Sequence, residues 1–168
     1  KYEGMWGSVR EEVLKTESSL AAKAAETAKA VSALPAAGKA RPKEILARAQ
    51  KILDFVGKKR AEHNIYLASV ALRRVDADLD EAARLAQAKV ADLSEQPLIS
   101  GSYCAVLCHQ KAGFKVPAET VAYKGKTMPH SMHADLMGCA KCHDLGPHRK
   151  APLRKNVDEQ VCATCHPK

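Results

Sequence analysis

Cys139-Ala-Lys-Cys142-His143 sets two cysteines two residues apart, with a histidine directly after the second. The pattern returns as Cys162-Ala-Thr-Cys165-His166. A stretched version precedes both: Cys104-Ala-Val-Leu-Cys108-His109 has three residues between its cysteines. Two regular copies are a strong signal for c-type haem attachment. The chemistry explains the spacing. Each sulfur adds to one vinyl group of haem, so the two must reach neighbouring pyrrole rings. The next residue, histidine, then lies under the iron and binds it. Axial-ligand identity and burial set the potential.

Other chemistries use paired cysteines. A zinc ribbon would take Cys139, Cys142, Cys162 and Cys165 as four thiolates, but zinc does not require a histidine after each second cysteine. A disulfide framework of six cysteines leaves the histidines equally unexplained. With seven histidines in 168 residues, three such coincidences have a chance of about one in ten thousand on composition alone. A thioredoxin-like site needs one pair and a βαβ context, and both are missing. For the stretched motif, a Cys104–Cys108 disulfide or a degenerate site without haem stands beside haem. An extra residue is absorbed if the loop bulges, and His109 still follows Cys108 directly.

Three irons with proximal ligands His109, His143 and His166 leave His63, His130, His133 and His148 for three sixth positions. His130 and His133 are three apart, just before a motif, so one turn can serve two irons. His148 follows His143 by five residues in a Gly-Pro-His turn and reaches a neighbouring haem more easily than its own. Taken alone, His63 reads as a surface residue. Met128, Met132 and Met137 are candidate sulfur ligands that would raise a potential; with four spare histidines they are the weaker choice.

Outward from the motifs, composition divides the chain. Residues 1–95 hold no cysteine and one histidine; residues 96–168 hold all six cysteines and six histidines. The first part reads as helices. Ser8-Val-Arg-Glu11 has the form of a capping box. An alanine-rich segment with Val9, Val13, Leu14, Leu20, Val31 and Leu34 follows, and Pro35, Gly38 and Pro42 are expected to break it. Ile45, Ala49, Ile52 and Val56 recur at helical spacing before Gly57. Ile65, Ala68, Leu72, Val75, Leu79, Ala82 and Ala86 form a narrow apolar seam with charged flanks. A helix over 61–94 would be on the order of 50 Å long. Two long antiparallel helices, or three, folded as a hairpin or bundle are expected, with Pro97 ending the region. The rest has little periodicity and predicts loops, turns and short helices around cofactors. The fold class is mainly α: a helical hairpin or bundle over 1–95, then a loop-rich module over 96–168 with three haem c groups.

Aromatic residues are only 4% of the chain, so haem would fill core that large side chains leave empty. The net charge is +8. Nucleic acid is a poor reading of it, because basic residues mix with acids on helices and do not interleave with aromatics. A basic face also suits an acidic protein partner, and haem propionates would cancel much of the excess. No apolar run reaches the length of a transmembrane helix, and no signal peptide is visible. The chain starts at Lys1 rather than Met, which suits a leader already removed or a fragment of something larger. Covalent haem attachment implies a periplasmic or extracellular location.

The run His130-Ser-Met-His133 … Cys139-Ala-Lys-Cys142-His143 resembles the small low-potential multihaem cytochromes of the class III type. The resemblance implies that His130 serves the haem of the motif that follows and that His133 serves another. Phe55-Val-Gly-Lys-Lys-Arg-Ala-Glu-His63-Asn64-Ile-Tyr-Leu-Ala resembles a segment of octahaem and nitrite-reductase-like multihaem cytochromes. There a His-Asn opens a long helix packed against the haem stack. This implies that His63 is a ligand, with the Cys104–His109 haem as its natural partner. Those larger proteins have more haem motifs before the helices; here none precede them.

Electron transfer between redox partner proteins is the leading expectation, with no catalytic residue. A reductase acting on nitrite, hydroxylamine or a sulfur oxyanion would need an open coordination position, and the supply of spare histidines argues against one. A third option is a helical part that docks the haem module into a homo-oligomer, a larger multihaem assembly or a haem wire.

Overall fold

The computed structural model describes residues 2–58, 61–146 and 151–166. The chain forms two compact units, residues 1–99 and 100–168.

The first unit contains three long helices. Helix α1 spans Tyr2–Ala33, α2 spans Ala36–Lys58, and α3 spans Ile65–Leu85, preceded by a 3-10 turn at Ala61–Asn64. Alanine suits α1 because it loses no side-chain entropy in a helix. Its buried positions include Val9, Val13, Thr16, Leu20, Lys23, Thr27 and Val31, in steps of four and three, so the stripe faces one way along the helix. Ile45, Ala49, Leu53 and Val56 of α2 and Ala68, Leu72, Val75, Leu79 and Ala82 of α3 complete the core. All three helices touch one another, as a bundle with short connections requires.

Three boundaries differ from the sequence reading. Ser8 does not cap a helix. Helix α1 already runs through it, and its hydroxyl donates to the Gly4 carbonyl at 3.1 Å. Only Pro35 breaks the chain between α1 and α2; Gly38 and Pro42 lie inside α2. Pro42 forgoes just the bond that its missing amide would make to Gly38. Helix α3 stops at Leu85 rather than near 94. Gln87 enters the left-handed region (φ 53°). Its amide then donates to Arg84 O at 3.1 Å, and that of Ala88 donates to Ala83 O at 2.9 Å. This is a Schellman cap, built here on glutamine.

The bundle's buried charges are paired. Lys23, with a side chain 1% exposed, reaches Asp76 and Asp80, each at 2.6 Å. Arg48 grips Asp78 with two bonds of 2.8 and 2.7 Å, and Arg74 adds a third contact at 3.0 Å.

The second unit is built from short pieces. Helix α4 (Pro97–Ser100) spans the boundary between the units. A π-helical turn covers Cys104–His109 and a 3-10 turn covers Gln110–Ala112. Strands β1 (Val121–Tyr123) and β2 (Lys126–Met128) pair antiparallel, Val121 with Met128 and Tyr123 with Lys126. Lys124 and Gly125 join them with positive φ at both, 50° and 74°, the turn that matches strand twist. Helix α5 (His130–Met137), α6 (Cys139–Cys142), a π-turn at Asp158–Cys162 and α7 (Ala163–Cys165) follow.

Candidate functional site

Each cysteine motif is one turn of helix. In the regular motifs that turn is α-like. The His143 amide donates to Cys139 O at 2.9 Å, and the His166 amide donates to Cys162 O at 2.8 Å. First cysteine and histidine therefore lie one above the other on the same side. In the stretched motif the same two residues are five apart, and the chain forms a π-helical turn over Cys104–His109. A π-turn closes five residues back rather than four, so it takes up one extra residue without unwinding the helix. The expected bulge is this turn.

All six cysteines are free. Among the described residues, no group of three or more His, Cys, Asp or Glu converges as a chelated ion requires. Burial pushes the Cys104, Cys139 and Cys142 thiols up. Cys104 lies close enough to Cys139, and Cys162 to Cys142, to add to those rises.

The imidazoles fall into pairs. Helix α5 places His130 and His133 three residues apart, on neighbouring positions of its surface. His130 stands edge to face with His143, centroids 6.0 Å apart. His133 lies 6.2 Å from His166, with ring planes 32° apart. Two imidazoles bound to opposite sides of one metal ion, each through a nitrogen about 2.0–2.1 Å away, have centroids on the order of 6 Å apart. Both centroid separations fall in that range.

Backbone carbonyls set the ring orientations. His133 Nδ1 lies 2.8 Å from Pro129 O, and His143 Nδ1 lies 2.8 Å from Ala151 O. That contact occupies Nδ1 and leaves Nε2 as the nitrogen for a metal, the usual arrangement of a metal-bound imidazole. The Ala151 carbonyl is presented by a return of the chain. Asp144 N donates to Pro152 O and Arg154 N donates to Cys142 O, each at 2.9 Å. His130 Nδ1 is buried without a hydrogen-bond partner. The residues present thus fit haem c at the two regular motifs: paired thiols in a turn, a histidine after them, and a second imidazole opposite.

His109 is exposed, and the ring beside it is the phenyl of Phe114, centroids 5.6 Å apart. His63 is exposed in the 3-10 turn of the helical unit. His148 lies outside the described residues. Of the methionines, Met137 meets the Cys142 thiol at 3.9 Å.

Two contributors were not anticipated from the sequence. Phe114 is one. The other is the Tyr123–Asp158 bond, 2.8 Å, with Lys124 on the same carboxylate at 2.5 Å. It ties the hairpin to the turn that opens the third motif. The signal for the hairpin was Lys124-Gly125 between short β-prone runs.

The chain is 36% identical over 53 residues to cytochrome c3 of Desulfuromonas acetoxidans, spanning 29% of this chain and 78% of that protein. It is 30% identical over 74 residues to cytochrome c7 of Geobacter metallireducens, spanning 41% of this chain and 79% of that protein. No family model matches the chain, and no solved structure matches it. The chain belongs to the multihaem c-type cytochromes. It is accordingly a haem-bearing protein of electron transfer.

Proposed function

We propose that the chain carries three haem c groups, one at each motif, and passes electrons between redox partner proteins in the periplasm or outside the cell. The observation that supports this most is the pair of imidazole contacts. Two histidines on one short helix each meet a different motif histidine at a separation suited to one iron. Bound there, each haem supplies a one-electron ferric/ferrous couple, held low by two imidazole ligands.

The chain's own residues do the rest. Cys104 and Cys108, Cys139 and Cys142, and Cys162 and Cys165 tether the three groups. His109, His143 and His166 hold the irons from the proximal side. His130 pairs with His143, and His133 pairs with His166. His63 and His148 are the remaining imidazoles for the first motif. Because α5 supplies a ligand to two motifs, it fixes their separation and the line along which electrons move. Among the described residues, no helix is long and apolar enough to cross a membrane.

The test is low-temperature EPR of the oxidised holoprotein. Low-spin ferric signals for at least two haems support paired imidazole ligation. High-spin iron at the Cys139 and Cys162 motifs would overturn it.

A further inference from the structure

We infer that Gly101 is a positioning residue for the Cys139 motif. Its missing side chain seats the Ser100–Gly101 turn against the turn of Cys139–His143, and so fixes the angle at which His143 faces His130. The inference rests on the reading above that these two imidazoles serve one iron, and adds the residue that sets their geometry.

Gly101 is buried, with φ +83°. Glycine enters that region without steric cost. Conformation is only half of the requirement. A Cβ at position 101 would lie 2.9 Å from Ala140 Cβ and 3.1 Å from Ala140 N, with Leu145 Cδ1 at 2.5 Å. The leucine tip can swing away. Ala140 is held inside the one-turn helix α6, which the His143 amide closes on Cys139 O at 2.9 Å. Carbon atoms in contact prefer about 3.5–4.0 Å. A methyl at 101 would therefore displace α6 by roughly half an ångström or more.

The contact is two-sided. A Cβ at Gly138, the residue before the motif, would lie 2.9 Å from Ser100 O and 3.0 Å from Ser100 Cβ. Residues 100 and 101 thus meet 138 and 140 at backbone distance, and a glycine makes each half possible. Gly113 and Gly125 also have positive φ, yet nothing lies within 4 Å of a Cβ at either. There glycine answers only the turn. At 101 and 138 it answers both the turn and the neighbour.

The seat is braced on the side of residues 100 and 101. Ser102 N donates to Ser100 Oγ at 3.2 Å, the two serine hydroxyls are 2.9 Å apart, and Tyr103 is 2% exposed. On the motif side, residues 140 and 145 bracket His143. The Ala151 carbonyl, 2.8 Å from Nδ1, fixes the rotation of the His143 ring. Gly101 fixes the backbone that carries the ring. The planes of His130 and His143 stand 84° apart, against 32° for His133 and His166. The angle between two axial imidazoles governs the anisotropy of a low-spin ferric signal, so the two centres should be distinct. The atoms nearest a Cβ at 101 belong to residues 140 and 145, so the His133–His166 centre should be spared.

The experiment is low-temperature EPR of the oxidised full-length holoprotein, with haem counted by pyridine haemochrome. The Cys139 signal is the low-spin signal that His130→Ala removes. In Gly101→Ala, an unchanged haem count with displaced g-values for that signal alone is expected. Gly101→Ala/Ala140→Gly, which takes away the opposing methyl, should return the signal toward its native position. Gly125→Ala, which imposes a positive φ on alanine without a neighbour, should leave it native. A native signal in Gly101→Ala would overturn the inference alone. So would equal displacement of both α5-ligated signals, or a displacement matched by Gly125→Ala. A Gly101→Ala chain that lacks the Cys139 haem, with no recovery in the double variant, would overturn it as well. High-spin iron at the Cys139 motif of the native chain would overturn the inference together with the ligation beneath it.

Discussion

The imidazoles of His130 and His143 meet edge to face, centroids 6.0 Å apart, and His143 is locked by the Ala151 carbonyl at 2.8 Å. His130 has no such lock; its Nδ1 is buried and unpartnered. His130 is therefore the replaceable half of the pair. In His130→Ala, the haem of the Cys139 motif should turn high-spin in EPR and take up carbon monoxide, while the His133–His166 centre keeps its low-spin signal. In His130→Met, the potential of one haem should rise, since a thioether ligand favours the ferrous state. Spectra identical to those of the native protein would mean that His130 is no ligand.

Gly138 joins α5 to the Cys139 motif at φ 68° and ψ 156°, a region essentially reserved for glycine. A Cβ there would lie 2.9 Å from Ser100 O. Gly138→Ala should cost about 1–3 kcal/mol and move α5 relative to the motif. The expected readout is a lower melting temperature with a perturbed low-spin signal from one or both α5-ligated haems. An unchanged spectrum and melting temperature would show that the turn tolerates a side chain.

Lys23 places a cation in the seam of the bundle and pairs with Asp76 and Asp80. Burial holds the Asp76 carboxyl above the ordinary range. Removing the cation strands that carboxylate, so Lys23→Ala should cost about 3–5 kcal/mol. Replacing both members, as in Lys23→Met with Asp76→Leu, should recover most of the loss, because a well-packed apolar pair is often as stable as a buried ion pair. Urea unfolding followed by far-ultraviolet circular dichroism reads both. A double variant no better than Lys23→Ala would contradict the packing argument.

Asp78 contributes to the pH dependence of the bundle. Hydrogen bonds from Arg48 are the chief cause of its lowered pKa, with the charge of Arg74 adding to it. The unfolded chain then binds a proton at higher pH than the folded one does. The contribution to stability is complete above the ordinary aspartate value, about 3.9, and is lost as pH falls through the lower folded value. Asp78→Asn should be less stable than the parent at pH 7 and should show a flatter loss of stability below about pH 4. Parallel acid limbs for parent and variant would contradict this.

The cysteine–histidine motifs were legible because their chemistry is local: sulfur spacing and the adjacent histidine are written consecutively. That His130 stands by His143 was implied by resemblance alone, because it depends on how α5 folds back on its own motif. The end of α3 was hidden by Gln87, which occupies the left-handed cap position where glycine would have announced it. The true start of α1 was masked by Ser8, whose hydroxyl serves equally as a cap or as a bond to the preceding turn. Lys23 and Thr27 broke the apolar stripe of α1 on paper, yet their polar atoms are satisfied within the bundle. Phe114 left no signal, since a phenylalanine in an exposed loop is ordinary in sequence.

The central claim is the number of haems, because every ligand assignment follows from it. Intact mass of the holoprotein, with pyridine haemochrome on the same sample, measures that number directly. Three covalently bound haems are expected, falling to two when Cys104 and Cys108 are both changed to Ala. Two haems in the native chain, unchanged by that double substitution, would show that the π-turn motif is empty and would contradict the account.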